Sequence, residues 1–456
     1  MKTSILIIPA LALTTIVSAQ CLMREVPLSE RVHSATAIVE GKVVCKQSFW
    51  NSGHNYIYTS NIVEVYKVFK GNIATSNIEI ITEGGVVDGK AIIANPSLKL
   101  STGQTGIFFV NTDVSLRSNS FKPYSGPQGF IQYDFSQNKA VDAFSVYAGI
   151  TTNLYQKIKS LTGRGFTTIQ TFDVNENLQE SGRATPVISN FSPTTLSAGT
   201  RTLLTINGSN FGSTRGSGSV SFCNADLGGV AYTGVSQPLY YQQWTDTQIK
   251  IYVPGDVMAS SVGTGNIQVT NNSSETGTSS SPLTIDFNRY EVIYAGEIIP
   301  TILYDDNGSG GYTFIPHTEV AALPAATSAI NRALSTWNCS DQINWNISSS
   351  STTTDVTTGD GVNVIRFDNG TEMSSGTLGY GSSYWGLYSN GVQKYWVLTE
   401  TDITMDDGTN WNYGPGNPAS SQYDFESVLL HELGHIHQFN HSGNISSPMY
   451  YGIANG

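Results

Sequence analysis

Apolar positions along this chain change their spacing several times, and each change marks an element or a boundary. At the start, Met1 and Lys2 precede an apolar run from Ile5 to Val17 that ends in the small residues Ser18 and Ala19. A charged start, an apolar middle and a small-residue cleavage site mark a secretory signal, so residues 1–19 are expected to be removed. That run is too short to span a bilayer, and no other run is long enough. Short β-branched and aromatic runs follow at Ala37 to Val44, Tyr56 to Phe69, Ile78 to Thr82 and Ile107 to Val110, separated by Gly and Asn clusters. They predict a small β barrel or sandwich. Leu154, Ile158 and Leu161 then recur at helical spacing ahead of Gly163, predicting a closing helix with a glycine C-cap. Residues 20–163 are thus expected as a β-rich N-terminal domain, in which His33 and His54 stand isolated as surface or structural residues.

Residues 164–184 turn polar, with Asn175, Asn177, Glu180 and Gly182, as in a linker. From 185 to 286 short strands alternate with turn signals and no helical period appears, which predicts an antiparallel sandwich. From 287 to 456 the period changes again. After Pro324, Ile330, Leu334 and Trp337 sit at i, i+4 and i+7, giving an amphipathic helix over 325–337. The β-type runs Val362 to Phe367 and Val397 to Met405 follow, and Asp424 stands at the N-cap of a further helix. An α/β domain is implied.

Composition adds the setting. A chain of 456 residues exceeds one ordinary core and points to several domains. Its 23 Lys+Arg against 35 Asp+Glu, a net charge of −12, argue against nucleic acid or an anionic membrane as partner. Only 13% of residues are charged while Gly, Ser, Thr, Asn and Tyr abound, the look of an extracellular β-rich protein. Cys21, Cys45, Cys223 and Cys339 are too sparse for a disulfide scaffold. Cys21 and Cys45 can pair in an oxidising compartment, whereas Cys223 and Cys339 read as separate small hydrophobes.

The chemistry concentrates in the last predicted helix, in the stretch His431-Glu432-Leu433-Gly434-His435-Ile436-His437-Gln438-Phe439-Asn440-His441. Two histidines four apart share one helix face, so His431 and His435 can address one ion, while Leu429, Leu433 and Ile436 fall on the opposite side. His437 points away from both. A catalytic zinc takes three protein ligands and keeps a position for water. No Asp or Glu follows Glu432, so His441 is the well-placed third ligand. Glu432, beside the histidines, is the expected general base.

Two resemblances add to this. Ser192-Pro193, Ala198-Gly199 and Gly208-Ser209-Asn210-Phe211-Gly212, with Trp244 to Ile249 and Val253-Pro254 after them, resemble the IPT/TIG family of immunoglobulin-like domains. Such a domain implies a spacer, or a binder of an extracellular matrix or surface ligand, apart from catalysis. The HExxHxxxxxH stretch followed by Ser447-Pro448-Met449-Tyr450-Tyr451 resembles the metzincin zinc endopeptidases, and Tyr423 to Val428 with His441-Ser442 resemble the matrixins, including bacterial ones. The resemblance implies zinc on His431, His435 and His441, Met449 in a turn beneath the metal, and Gly376 to Tyr380 as an edge strand along which a peptide lies. It implies for Tyr451 either a catalytic tyrosine, as in astacin-like and serralysin-like members, or a core aromatic. Calcium could bind the oxygen-rich turns Asp305-Asp306-Asn307-Gly308 and Asp406-Asp407-Gly408, which match no strict loop pattern and otherwise serve as solvated turns. Gln438 stands where the family has Gly, and the zinc-blocking cysteine segment of matrixins is absent. The expected function is a secreted zinc metalloendopeptidase acting on proteins or peptides. The alternative is an extracellular adhesive protein with a vestigial zinc domain.

Overall fold

The computed structural model describes residues 23–177, 184–257, 260–341, 343–354, 359–370 and 372–453; the expected signal segment and Cys21 lie outside them. In the N-terminal unit, Ala37–Trp50 pairs antiparallel with Ile57–Lys70, which pairs with Asn77–Glu83. Asn77–Glu83 runs parallel to Ser120–Pro123, that strand pairs with Thr105–Asp113, and Thr105–Asp113 returns to Ala37–Trp50. The ring closes into a barrel with no free edge at this point. Val39, Val43, Val63, Val65, Ile80 and Phe108, all but inaccessible to solvent, fill it. Two helices, α1 (Leu28–Ser34) and α2 (Tyr155–Thr162), pack on the outside through Val32, Tyr155 and Ile158. Gly163 ends α2 at φ 69°, its N–H returning to the Lys159 carbonyl at 3.0 Å. The first part of the polar segment after it is structured. Thr167–Thr168 pairs with Ile57–Lys70, and Phe172 stacks on Tyr66 at 4.2 Å between ring centroids.

The next unit is a sandwich of two main sheets. One contains Val187–Ser192, Leu203–Ser209, Gln248–Tyr252 and Tyr241–Trp244, the other Tyr232–Gly234, Ser219–Asn224 and Ser260–Thr270. Alternation sends Leu204, Ile206, Val220, Ile249, Ile251 and Val269 inward, where they are buried together. After Ser219–Asn224 the chain makes a single 3₁₀ turn, Ala225–Leu227, capped by the Asn224 side chain accepting from the Asp226 N–H at 2.9 Å. Cys223 is buried here, while Cys45 and Cys339 are exposed.

The C-terminal unit places three helices, α3 (Thr318–Ala321), α4 (Pro324–Asp341) and α5 (Phe425–Ile436), against a mixed sheet. Its order is Asn346–Ile347, Thr313–Pro316, Val364–Phe367, Lys394–Met405 and Gly379–Ser389. The first four run parallel and Gly379–Ser389 runs antiparallel to its neighbour. Ala326, Ala329 and Ala333 keep one face of α4 small, and Trp337 donates its indole N–H to the Leu430 carbonyl of α5 at 2.9 Å. The sheet does not end at Gly379–Ser389. A hairpin of the N-terminal unit, Gly85–Val87 and Lys90–Asn95, adds to it, with Lys90 opposite Gly386 and Asn95 opposite Gly381. Among the described residues, no helix is long and apolar enough to cross a membrane.

Candidate metal centre

Helix α5 begins where the Asp424 carboxylate accepts the Ser427 N–H at 2.8 Å, satisfying one of the orphan donors of the first turn. Its apolar stripe, Val428, Leu429, Leu433 and Ile436, enters the core of the C-terminal unit and fixes the rotation of the helix. His431 and His435 therefore turn to the other side, toward the loop that returns His441, while Glu432 lies one turn from Val428 against Gly379. All four are buried. His431 Nε2 and His435 Nε2 approach to 2.8 Å, and one ring nitrogen from each of the three histidines falls within 4.8 Å of the others.

What the remaining nitrogens do decides the chemistry. His431 Nδ1 lies 2.6 Å from the Pro448 carbonyl, and His435 Nδ1 lies 2.8 Å from the Phe439 carbonyl and 3.2 Å from the Tyr290 hydroxyl. His441 Nδ1 lies 2.7 Å from Asp226 Oδ1. An oxygen acceptor at every Nδ1 assigns the proton there and leaves the Nε2 lone pairs facing one another. Burial holds His431 and His435 well below the usual imidazole range, so they stay neutral, the form that ligates a metal. His441 Nε2 has no hydrogen-bond partner, nor has either oxygen of Glu432, whose carboxyl burial pushes well up. Buried polar atoms left unpaired are costly. A cation at the point where the three nitrogens converge would satisfy His441, and three imidazoles suit zinc.

The strand beside Glu432 is shaped for its carboxylate. A Cβ on Gly379 would come within 2.6 Å of Glu432 Oε1, and one on Gly381 within 3.1 Å of Oε2. Gly379–Ser389 thus runs directly against Glu432.

Comparison with known families places the geometry. Residues 309–455 match the matrixin family of peptidases. The chain carries a matrixin domain. Residues 186–287 match the IPT/TIG domain. The matrixin domain supports a zinc metalloprotease, and the three-histidine group is compatible with its zinc site. No curated protein matches the chain. Among solved structures, a fungal alcohol oxidase of the AA5 family in complex with copper is 14% identical over 53% of this chain and 55% of its own, with a TM-score of 0.18. The chain spans about half the length of that structure, and a score so low carries nothing about the fold.

Within the matrixin domain, the other expected residues fall as follows. Met449 lies under the histidines: a Cβ on Gly434, between His431 and His435, would sit 2.2 Å from its sulfur. Gln438 takes φ 75°, the left-handed turn that favours glycine. Its side chain offsets that cost. The buried amide oxygen accepts from Thr301 Oγ1 at 2.6 Å and from Arg289 at 3.1 Å, while its carbonyl takes the Tyr290 N–H at 2.9 Å. His437 faces away, 3.2 Å from Asp341 and stacked on Phe439. Tyr451 is buried, packs against Phe144 and donates its hydroxyl to the Ala143 carbonyl of the N-terminal unit. Of the turns considered for calcium, Asp305 and Asn307 accept N–H groups of their own turn at 2.7 and 2.9 Å. Asp406 and Asp407 gather with Asp368.

Two residues of the site have no local signature. Tyr290 precedes the matrixin match, and Asp226 belongs to the IPT/TIG domain, 215 positions from the histidine it meets. A domain expected to stand apart from catalysis therefore reaches one of the three clustered histidines. The physical reason is the 3₁₀ turn, which carries one carboxylate out of the sandwich at the junction.

Proposed function

We propose that this chain is a secreted zinc metalloendopeptidase. The observation that supports it is the convergence of three imidazole Nε2 atoms, each with its Nδ1 on an oxygen, beside a buried Glu432 with neither oxygen engaged. His431, His435 and His441 would hold the zinc. When bound, zinc polarises the scissile carbonyl and lowers the pKa of water at the site toward neutrality. Glu432, whose ionised form the charge of a bound cation would favour against its burial, accepts the proton of the attacking water and delivers it to the leaving amine, so no covalent link to the enzyme forms. Gly379 and Gly381 leave the carboxylate room for both tasks. Export rests on the signal-like residues 1–19, and the substrate class is protein or peptide.

The test measures zinc per chain and hydrolysis of a denatured protein, with and without chelator, before and after limited proteolysis. One zinc and a chelator-sensitive hydrolysis that Glu432→Gln abolishes are expected. A chain that binds zinc yet cleaves nothing in either form returns the adhesive alternative.

A further inference from the structure

Resting on the zinc reading, a first inference concerns the IPT/TIG domain. His431 and His435 present their Nδ1 atoms to carbonyls of their own domain, but His441 meets a carboxylate, and from another domain. The turn that carries Asp226 is held on both sides. Its N–H is capped by Asn224, its second oxygen accepts the Ser261 N–H at 2.9 Å, and Gly228 just after it packs on the Tyr451 ring. The His441 loop is fastened to the same junction, Asn440 donating to the Asn288 carbonyl at 2.8 Å. We infer that Asp226 is a positioning residue for the metal site, so that the IPT/TIG domain supplies the outer support of the third zinc ligand. A carboxylate on Nδ1 fixes tautomer and ring orientation and raises the basicity of Nε2. The full-length chain tests this by chelator competition for zinc. Asp226→Ala is expected to weaken zinc affinity by roughly 10–100-fold, with Asp226→Asn falling between it and the wild type. Leu227→Ala, which trims packing at the same junction and spares the carboxylate, should leave affinity within about twofold. Equal zinc affinity in Asp226→Ala and wild type, or an equal loss in Leu227→Ala, overturns the role of Asp226. A wild-type chain that takes up no zinc overturns the metal reading itself and this role with it.

A different set of contacts carries a second inference. Lys90–Asn95 occupies the outer edge of Gly379–Ser389, the strand that flanks Glu432. Met23 bridges to Thr377 and Gly452, and Arg24 donates its N–H to the Gly376 carbonyl at 2.8 Å. Tyr380 is held by the Tyr56 hydroxyl at 2.9 Å and by Glu83 at 2.8 Å. The space left beside His435 and His441 is a cavity of about 70 Å³, walled by Met23, Pro96, Leu98, Asp226 and Tyr290 among others. It has room for a few waters. We propose that this is the closed form of the endopeptidase, in which the N-terminal unit takes by β-pairing the edge that an extended peptide substrate needs. Successive strand residues point their N–H groups to opposite sides, so prolines at both Ile92 and Ile93 must remove a bond to Gly379–Ser389. In the full-length chain, Ile92→Pro/Ile93→Pro should cleave a quenched fluorescent peptide at least ~10-fold faster than wild type, with zinc content unchanged. Adding Glu432→Gln should abolish the gain. A zinc-loaded double-proline chain no faster than wild type, together with an intact chain that no proteolytic nick accelerates, overturns the closed form. Absence of zinc from every form counts against the endopeptidase reading.

Discussion

The N-terminal unit and the IPT/TIG domain both border the proposed metal centre and neither supplies one of its three histidines, yet they reach it by opposite means. The IPT/TIG domain extends one side chain, Asp226, to the outer nitrogen of His441. The N-terminal unit lays main chain along Gly379–Ser389 and across Gly376. A contribution made by a side chain disappears with one substitution, and one made by backbone withstands most substitutions except proline.

The sharpest break comes at the carboxylate next to the histidines. Glu432→Gln should lower peptide hydrolysis by about 10²–10⁴-fold in the opened chain while zinc content stays at wild type, measured by metal analysis beside initial rates. Next, Gly379→Ala adds a methyl where Glu432 Oε1 would be 2.6 Å away. Displacing the base by a fraction of an ångström should reduce kcat by about 10-fold or more with zinc again retained, which separates the strand's effect from that of the ligands. Gln438→Ala keeps the left-handed turn and loses the acceptor for Thr301 and Arg289, so thermal unfolding should show a loss of about 2 kcal/mol. Gln438→Gly, freed of strain, should recover part of it.

A pH effect sharpens the IPT/TIG side. Glu291, at the junction, accepts the Tyr240 hydroxyl and the Gly255 N–H, and burial raises its carboxyl to about 7 against the hydrogen bonds that lower it. A folded-state pKa above the unfolded one means the native chain binds the extra proton. Stability is then highest below about pH 4.5 as far as this group goes, and declines as pH rises toward 7. Denaturant titrations should show a decline of about 3 kcal/mol across that window, absent in Glu291→Gln.

Much of α5 was legible from local pattern: the Asp424 cap, the buried leucines and the two histidines follow from helical period alone. The third histidine followed from the lack of any later acid. The strand Gly379–Ser389 was visible only in its first residues, because Gly, Ser and Tyr without alternation give weak strand signals; its glycines answer to Glu432 rather than to propensity. Asp226, Tyr290 and the crossing hairpin depend on contacts between residues hundreds or scores of positions apart, and no window of sequence contains both members. Gln438 looked like a departure, and its partners Arg289 and Thr301 come from the segment that joins the two domains.

The hairpin Gly85–Val87 and Lys90–Asn95 has a further consequence. While it is in place, Gly379–Ser389 is an inner strand, paired on both sides over Gly381 to Gly386. Removing it bares a long glycine-rich edge that any extended chain can join, including another copy of the same molecule. Solubility and activity therefore pull in opposite directions in this protein, and an opened preparation left without substrate should self-associate.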